Sequence, residues 1–310
     1  MQKWKTIVTS LAAALGLLTG IIGIWQAHKG AVREEKDKTS RTIQEAKLVL
    51  SGPIVYTGET KPSQERITKL TTTLSSLDEI IKSDATNDQA LILQGICYQE
   101  LGEYQKALDA YTKALGLVQN MAGSEAIRRQ AFLLNNIGDV YLDQCRLTEA
   151  ELAFRETLRL KPEKEVAGLA NANMADVLLR RRKAAEALIF AEEAVRQNDS
   201  AGEAHLVLGQ AHWQLGRRNE ALLELRRARS LTTGRWPDGA IELSRCLLET
   251  GDVQGAIAAA KFACATDTEC PRAFQVLRNA YEKAGRSADA QEAQVRANDL
   301  EARRLRRTCP

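Results

Sequence analysis

A block of 34 to 43 residues recurs six times after residue 87, and this repeat constrains the fold more than any other feature. The blocks begin at Asp88, Ala131, Gly168, Gly202, Pro237 and Pro271. Their twentieth position is always alanine: Ala107, Ala150, Ala187, Ala221, Ala256 and Ala290. Their eighth position is small in five blocks: Gly95, Gly138, Ala175, Gly209 and Ser244. Such regularity predicts similar units stacked in a row, each burying its apolar face against the next.

Each block is predicted to be a pair of antiparallel helices. Leu, Ala, Glu, Arg and Gln dominate the sequence and favour helices, whereas the 5% aromatic content argues against an all-β sandwich. With 44% hydrophobic and 27% charged residues the chain is not of the disordered class. The small residues mark where the two helices cross. The fifteenth position is glycine in four blocks (Gly102, Gly216, Gly251 and Gly285), where the first helix should end in a turn that needs a permissive backbone.

Two stretches carry a family resemblance. The first has Gly95, Tyr98, Leu101, Gly102, Ala107, Tyr111 and Ala114, and the second has Gly209, Gly216, Ala221 and Ala228. The chain resembles the tetratricopeptide-repeat (TPR) family over residues 88–304. That resemblance implies an all-α fold, a right-handed α-solenoid of about six TPR helix pairs plus capping helices. With the N-terminal segment considered below, one transmembrane helix is expected to precede the solenoid.

Some blocks depart from the family pattern. Arg278 replaces the small residue of the sixth block. The second helices of the third, fifth and sixth blocks carry Ala191, Ala260 and Gln294 where an aromatic residue is usual. We therefore expect these three repeats to pack less tightly.

The N-terminal region predicts a membrane anchor. Ile7 to Trp25 contains no charged residue, and nineteen helical residues reach about 28 Å, close to the thickness of a hydrocarbon core. We place a transmembrane helix over residues 7–27. A signal peptide is the alternative, although the run lacks a good cleavage site. The stripe Ala12, Gly16 and Gly20 would allow two such helices to associate as a homodimer.

The remaining domain bounds follow from the repeat and from the composition of the segments around it. Residues 1–6 form a short tail, 28–62 a charged, flexible linker, 63–87 an N-terminal capping helix, 88–304 the solenoid and 305–310 a C-terminal tail. Basic residues are more numerous after the anchor than before it, which favours a cytoplasmic solenoid over a periplasmic or exterior one in a single-pass membrane protein.

No catalytic or cofactor motif occurs in the sequence, so we predict no enzyme, no cofactor and no metal site. His205 and His212 lie seven residues apart at packing positions and are interpreted as core residues. Cys264, Cys270 and Cys309 are the cysteines whose pairing in an oxidising compartment stays open. The net charge of +3 is too small for a protein that coats nucleic acid.

The candidate site follows from the resemblance. In TPR proteins the first helix of each block lines a concave groove, mainly through block positions 2, 5, 6, 9, 12 and 13. From the residues at these positions we select as candidate peptide-binding residues Phe132, Asn135, Asn136, Asp139, Asn173, Asp176, Gln210, Trp213 and Arg245. Asparagine side chains can bond both the N–H and the C=O of an extended peptide. Ile92 and Ile96 occupy positions where the chaperone-tail clamp of some relatives has polar residues, which disfavours that ligand.

The predicted function is therefore a membrane-anchored, non-enzymatic scaffold or adaptor. It would bind a protein or peptide partner in the groove, for the assembly or regulation of a membrane-associated complex. Two alternatives stay open: a structural homo-oligomer without a separate client, and an enzyme with an unrecognised site.

Overall fold

The computed structural model describes residues 26, 28–50, 64–119, 121–231 and 237–306. Those ranges contain fourteen α-helices and no β-strand, which confirms the predicted all-α class. The chain divides into two units between Leu48 and Val49. The first helix, α1, covers residues 28–50. The second, α2, covers Gln64–Ser83.

The segment expected to be a linker contains α1. Its side chains from residue 28 to residue 38 are all exposed. A highly charged sequence without an apolar stripe agrees with that exposure. The rest of the expected linker, residues 51–62, lies outside the described residues.

The predicted membrane helix over residues 7–27 also lies outside the described residues, except for Gln26. The same holds for its stripe of Ala12, Gly16 and Gly20 and for Cys309 in the C-terminal tail. Among the helices that the structure does describe, none is both long enough and apolar enough to cross a bilayer.

Six helix pairs follow α2, and each pair corresponds to one block of the sequence. The first helices of the pairs are α3 (Asp88–Glu100), α5 (Ser124–Asp143), α7 (Lys164–Arg180), α9 (Gly202–Gln214), α11 (Asp238–Glu249) and α13 (Pro271–Lys283). The second helices are α4 (Tyr104–Val118), α6 (Leu147–Arg159), α8 (Ala184–Gln197), α10 (Arg218–Ser230), α12 (Val253–Thr266) and α14 (Ser287–Arg306). Each helix packs against the next along the chain, and α2 packs against α3.

Every pair turns through a left-handed residue at block position fifteen. Four of these are the predicted glycines, with φ from 71° at Gly285 to 88° at Gly251. The other two are Cys145 and Arg182, with φ of 58° and 61°. In the first pair the N–H of Glu103 donates to the C=O of Tyr98 at 2.8 Å, and the equivalent bond recurs in the other five pairs. The turn is therefore a Schellman motif that caps the first helix even where glycine is absent.

Block positions eight and twenty-four face each other where the two helices cross. A Cβ atom built on Gly95 would lie 2.4 Å from the ring of Tyr111, and one on Gly138 would lie 2.5 Å from the ring of Phe154. Both rings are fully buried. Glycine is required at these positions because the aromatic ring occupies the space of the missing side chain.

The three repeats expected to pack loosely have no aromatic residue at position twenty-four. In the third repeat Ala175 and Ala191 stand at positions eight and twenty-four, and both are 0% exposed. In the fifth, Ser244 and Ala260 are also fully buried, and the Ser244 hydroxyl donates to the C=O of Ala256 at 2.9 Å. In the sixth, the Arg278 guanidinium donates to the side-chain oxygen of Gln294. The third and fifth crossings thus exclude solvent without an aromatic residue.

The first helices also contact each other from one repeat to the next, from α5 through α7, α9 and α11 to α13. They form a continuous surface, which we call the inner face. The second helices expose aliphatic side chains at one repeated position, Leu152, Ile189 and Leu223, each 63–67% exposed. All of the predicted site residues belong to α5, α7, α9 or α11, and two of them, Asn135 and Asn136, are buried.

Candidate functional site

The centre of the inner face is a polar network between α5 and α7. The Asn173 amide on α7 donates through Nδ2 to Asp139 Oδ1 at 2.6 Å and to Asn135 Oδ1 at 3.3 Å, both on α5. Asn135 Nδ2 in turn donates to Asp139 Oδ2 at 3.2 Å. Three predicted site residues are thus brought together, and their amides hold two repeats in register rather than pointing freely to solvent.

A second chain of hydrogen bonds joins α5 to the first repeat. The Tyr111 hydroxyl donates to Gln99 Oε1 at 3.1 Å, and Gln99 Nε2 donates to Asp143 Oδ2 at 3.2 Å. Asp143 was not among the predicted site residues. The signal was present, because Asp143 stands at block position 13, one of the positions that line the groove in relatives.

Asn136 differs from its neighbours. Its side chain is buried, with a relative exposure of 6%, and its Nδ2 atom has no hydrogen-bond partner within the described residues. A buried amide donor without a partner costs about 1–3 kcal/mol. Asn136 lies one helical turn before Asp139 and two before Asp143, so the three side chains share one stripe of α5.

Burial raises the pKa of the Asp139 carboxyl well above its usual value, and the charges of Asp143 and Asp176 raise it further, while the bond from Asn173 opposes them. Burial also raises the pKa of Asp143, against the hydrogen bond from Gln99 and the charge of Arg180. Asp176 pairs with Arg180, with Oδ2 and Nη2 2.9 Å apart. Three carboxylates therefore share one part of the inner face with one guanidinium.

The change Asp139→Asn removes a charge, but it also replaces one of the two oxygens that accept from Asn173 and Asn135 with a second donor, which costs about 1–3 kcal/mol. We therefore expect the variant to differ from wild type mainly in the pH dependence of its stability. The raised pKa makes the folded state hold its proton longer than the unfolded chain, whose Asp pKa is about 3.9. Wild-type stability should therefore fall, relative to the variant, as the pH rises from about 4 through the raised folded pKa, and the deficit should persist above it.

Urea unfolding at pH 4, 5.5 and 7 measures this difference. The variant Asp109→Asn is the control, since Asp109 is exposed on α4 and should change little at any pH. A difference in unfolding free energy between wild type and Asp139→Asn that stays the same from pH 4 to pH 7 would contradict the raised pKa of Asp139.

The remaining predicted site residues lie along the inner face outside this centre. Trp213 on α9 is half-buried, with the guanidinium of Arg218 stacked 3.8 Å from its ring centroid. Arg245 on α11 is exposed and pairs with Glu242 at 2.8 Å. Phe132 and Gln210 are half-buried. These residues do not join the network between α5 and α7.

The histidine and cysteine residues have structural surroundings. His205 is 4% exposed, its Nδ1 lies 2.7 Å from Glu224 Oε2, and its Nε2 lies 3.0 Å from the C=O of Asp199. The bond to Glu224 is the main cause of its raised pKa. Within the described ranges, no cluster of three or more metal-ligating side chains is found, and Cys264 and Cys270 are free thiols.

Comparison with known proteins agrees with this architecture. Residues 88–163 and residues 172–240 match two profiles of the tetratricopeptide repeat. The class of protein is therefore a helical repeat protein that contains TPRs, as the block pattern predicted.

A curated relative, the DnaJ homolog subfamily C member 7 homolog of Schizosaccharomyces pombe (strain 972 / ATCC 24843), is 27% identical over 154 residues. The match covers 48% of this chain and 32% of the relative, so the chain spans about a third of that protein's length.

Two solved structures share the fold. The APC/C hetero-tetramer Cut9-Hcn1 aligns with a TM-score of 0.57 and 21% identity, over 75% of this chain and 43% of that chain. Pseudomonas aeruginosa pilF aligns with a TM-score of 0.54 and 16% identity, over 77% of this chain and 96% of that chain. At such identities the likeness concerns the fold alone.

Proposed function

We propose that this protein is a non-enzymatic scaffold that binds an extended segment of a protein partner along its inner face. TPR domains bind protein or peptide partners, and the repeats here place their first helices side by side. The observation that carries the proposal is the row of first helices in contact from α5 to α13, on which the half-buried Gln210 and Trp213 lie. The Gln210 amide has both a donor and an acceptor to offer the backbone of an extended peptide.

The structure suggests which amide to replace. Asn173 bonds to Asp139 and Asn135, so removing its amide would weaken the contact between α5 and α7 as well as any contact with a partner. Asn136 is buried and its Nδ2 is closed to a partner. Gln210 on α9 is half-buried, and its side chain makes no hydrogen bond within the described residues. Substitution by leucine, which has a similar size, therefore removes a donor and an acceptor without removing an internal hydrogen bond.

We expect Gln210→Leu to bind partner peptides about five- to tenfold more weakly than wild type, equivalent to a hydrogen bond of about 1–1.4 kcal/mol. Its stability should be nearly unchanged, because no hydrogen bond within the described residues is lost. The peptides are dodecapeptides selected from a displayed random library against the full chain in detergent, and affinities are measured by fluorescence polarisation. Leu223→Gln, on the outer surface of α10, is the matched control. Equal binding by Gln210→Leu and wild type would contradict the proposed groove.

We further propose that residues 7–27 tether the scaffold to a membrane, with the solenoid on the cytoplasmic side, where it would assist the assembly or regulation of a membrane-associated complex. The uncharged run from Ile7 to Trp25 and the greater number of basic residues after it support this arrangement. The full chain should stay with membranes after alkaline extraction, whereas a chain without residues 1–27 should be released. Recovery of the full chain in the supernatant would contradict the tether.

A further inference from the structure

The fourth repeat carries a titratable pair at two block positions that are mostly apolar elsewhere. His205 stands at block position four and Glu224 at position twenty-three. His205 is 4% exposed, and its Nδ1 lies 2.7 Å from Glu224 Oε2. In four of the other five blocks both positions are apolar: Leu91 and Ala110, Leu134 and Ala153, Ala240 and Ala259, Phe274 and Ala293. A helix pair therefore packs without this ion pair, whose burial costs desolvation that apolar residues avoid.

Both ring nitrogens of His205 face hydrogen-bond acceptors. Nδ1 faces the Glu224 carboxylate, and Nε2 lies 3.0 Å from the C=O of Asp199 and 3.3 Å from Asp199 Oδ1. A neutral imidazole has one N–H and one lone pair, whereas an imidazolium has two N–H groups. Only the imidazolium can donate to both sides. With a neutral ring, one of the two contacts brings a nitrogen lone pair against an oxygen atom.

The Nε2 contact holds the turn between the third and fourth repeats. Asp199 lies in this turn, residues 198–201, which joins α8 to α9. Ala201, the N-cap residue of α9, makes no side-chain cap bond. His205 follows one helical turn later and bonds back to Asp199, while Glu224 connects the same ring to α10. The ring therefore joins the turn, α9 and α10 through two hydrogen bonds.

The charges around the ring favour its protonated form. The hydrogen bond to Glu224 is the largest contribution to the raised pKa of His205, desolvation opposes it, and the bond and charge of Asp199 add to it. Helices α7, α8, α10 and α11 pack against α9. Within the described residues, the ion pairs of the ring are with Glu224 of α10 and Asp199 of the turn, and none is with α7, α8 or α11. Arg227 of α10 pairs with Asp199 at 3.5 Å, so two carboxylates and one guanidinium surround the ring.

We propose that protonation of His205 controls how firmly the turn between the third and fourth repeats is held. The imidazolium donates to Glu224 and to the C=O of Asp199 at the same time. Loss of the proton leaves a single N–H on Nδ1, where the bond to a carboxylate is the stronger of the two, and sets the Nε2 lone pair against the C=O. The turn is then released from α9. This inference concerns the joint between two repeats and does not depend on partner binding.

The direction of the pH dependence follows from linkage. Because the folded pKa of His205 is raised, its stabilising contribution is complete below about pH 6.5, the pKa of an unperturbed histidine, and is lost as the pH rises through the higher folded value. The turn is therefore held in acidic solution and released in alkaline solution.

The first test measures the protonation of the ring directly. The full chain in detergent, labelled with 15N in its histidine rings, is followed by NMR from pH 5 to pH 9, and the signal missing in His205→Gln identifies His205. Its midpoint should lie above about 6.5. Glu224→Gln should lower that midpoint by about 1 pH unit, because a neutral amide does not favour the charged ring. The matched control is Glu220→Gln, which removes an exposed charge one turn earlier on α10 and should leave the midpoint unchanged.

The second test reports on the turn itself. Amide hydrogen exchange is measured at pH 6 and pH 9 and corrected for the intrinsic pH dependence of exchange. Protection of residues 198–205 should fall about fivefold in the wild-type protein, the equivalent of one hydrogen bond. In His205→Gln it should stay nearly constant, because glutamine does not titrate. The turn at residues 267–270, between α12 and α13, contains no histidine and should keep its protection in both proteins.

Two results would overturn the inference. One is a His205 midpoint at or below about 6.5. The other is a fall in the protection of residues 198–205 that is equal in wild type and His205→Gln. If His205→Gln does not fold, Glu224→Gln takes its place: protection of the turn should then fall about 1 pH unit earlier than in wild type, and an unshifted fall would count against the proposal. Peptide binding by Gln210→Leu is measured separately, so these results leave the proposed function untouched.

Discussion

Replacing Phe154 with alanine is expected to lower the free energy of unfolding by about 3–5 kcal/mol, the usual cost of truncating a fully buried aromatic residue. Phe154 is 0% exposed and fills the crossing of α5 and α6, where its ring lies against Gly138. Its loss leaves a cavity that this rigid crossing can close only in part. Urea unfolding followed by circular dichroism measures the effect.

Phe262→Ala is the matched control, because Phe262 also lies on a second helix but is 41% exposed. Its truncation should cost about 1 kcal/mol or less, since most of the ring surface is already in contact with water. Similar losses in the two variants would contradict the central position of Phe154 in the repeat core.

Gly138→Ala is expected to destabilise the protein by about 1–2 kcal/mol although alanine is the better helix former. The intrinsic gain from glycine to alanine is about 1 kcal/mol. The added Cβ would lie 2.5 Å from the buried ring of Phe154, and overpacking of that kind costs about 1–3 kcal/mol or more. Thermal and urea unfolding both measure the net change.

Gly116→Ala is the control for this prediction, since a Cβ at Gly116 on α4 would have no heavy atom within 4 Å. That variant should gain about 1 kcal/mol from helix propensity alone. The double variant Gly138→Ala/Phe154→Ala should cost less than the sum of the two single variants, because it reproduces the Ala175 and Ala191 pair of the third repeat. Strict additivity would show that the two positions do not share one space.

The sequence predicts the repeat core well because small residues recur where the two helices of each pair cross. The six alanines at block position twenty are all buried, at 0–5% exposure, as the block alignment implies. We expected loose packing in the third repeat because Ala191 replaces the usual aromatic residue. Packing depends on the combined size of positions eight and twenty-four, and the two alanines there, Ala175 and Ala191, are both 0% exposed.

The sequence predicted which helices carry the candidate site residues but not the contacts that those residues make. The alignment placed Asn135, Asp139 and Asn173 on first helices, where the structure has them. It did not indicate that Asn173 bonds across to both of the others, nor that Asp143 joins the cluster through Gln99. Residues 34 to 44 positions apart meet only after the helix pairs have stacked, and their side chains then choose partners by distance and direction.

By itself the sequence determined the helix pairs, their number and the helices to which the predicted site residues belong, because helical periodicity and turn chemistry act over a few residues. Only the tertiary structure decided that, among the described residues, Asn173 bonds to Asn135 and Asp139 while Asn136 Nδ2 has no partner, and that burial raises the pKa values of Asp139 and Asp143. The physical reason is that hydrogen bonding and burial of charge depend on neighbours contributed by other repeats, whose distances no single block encodes.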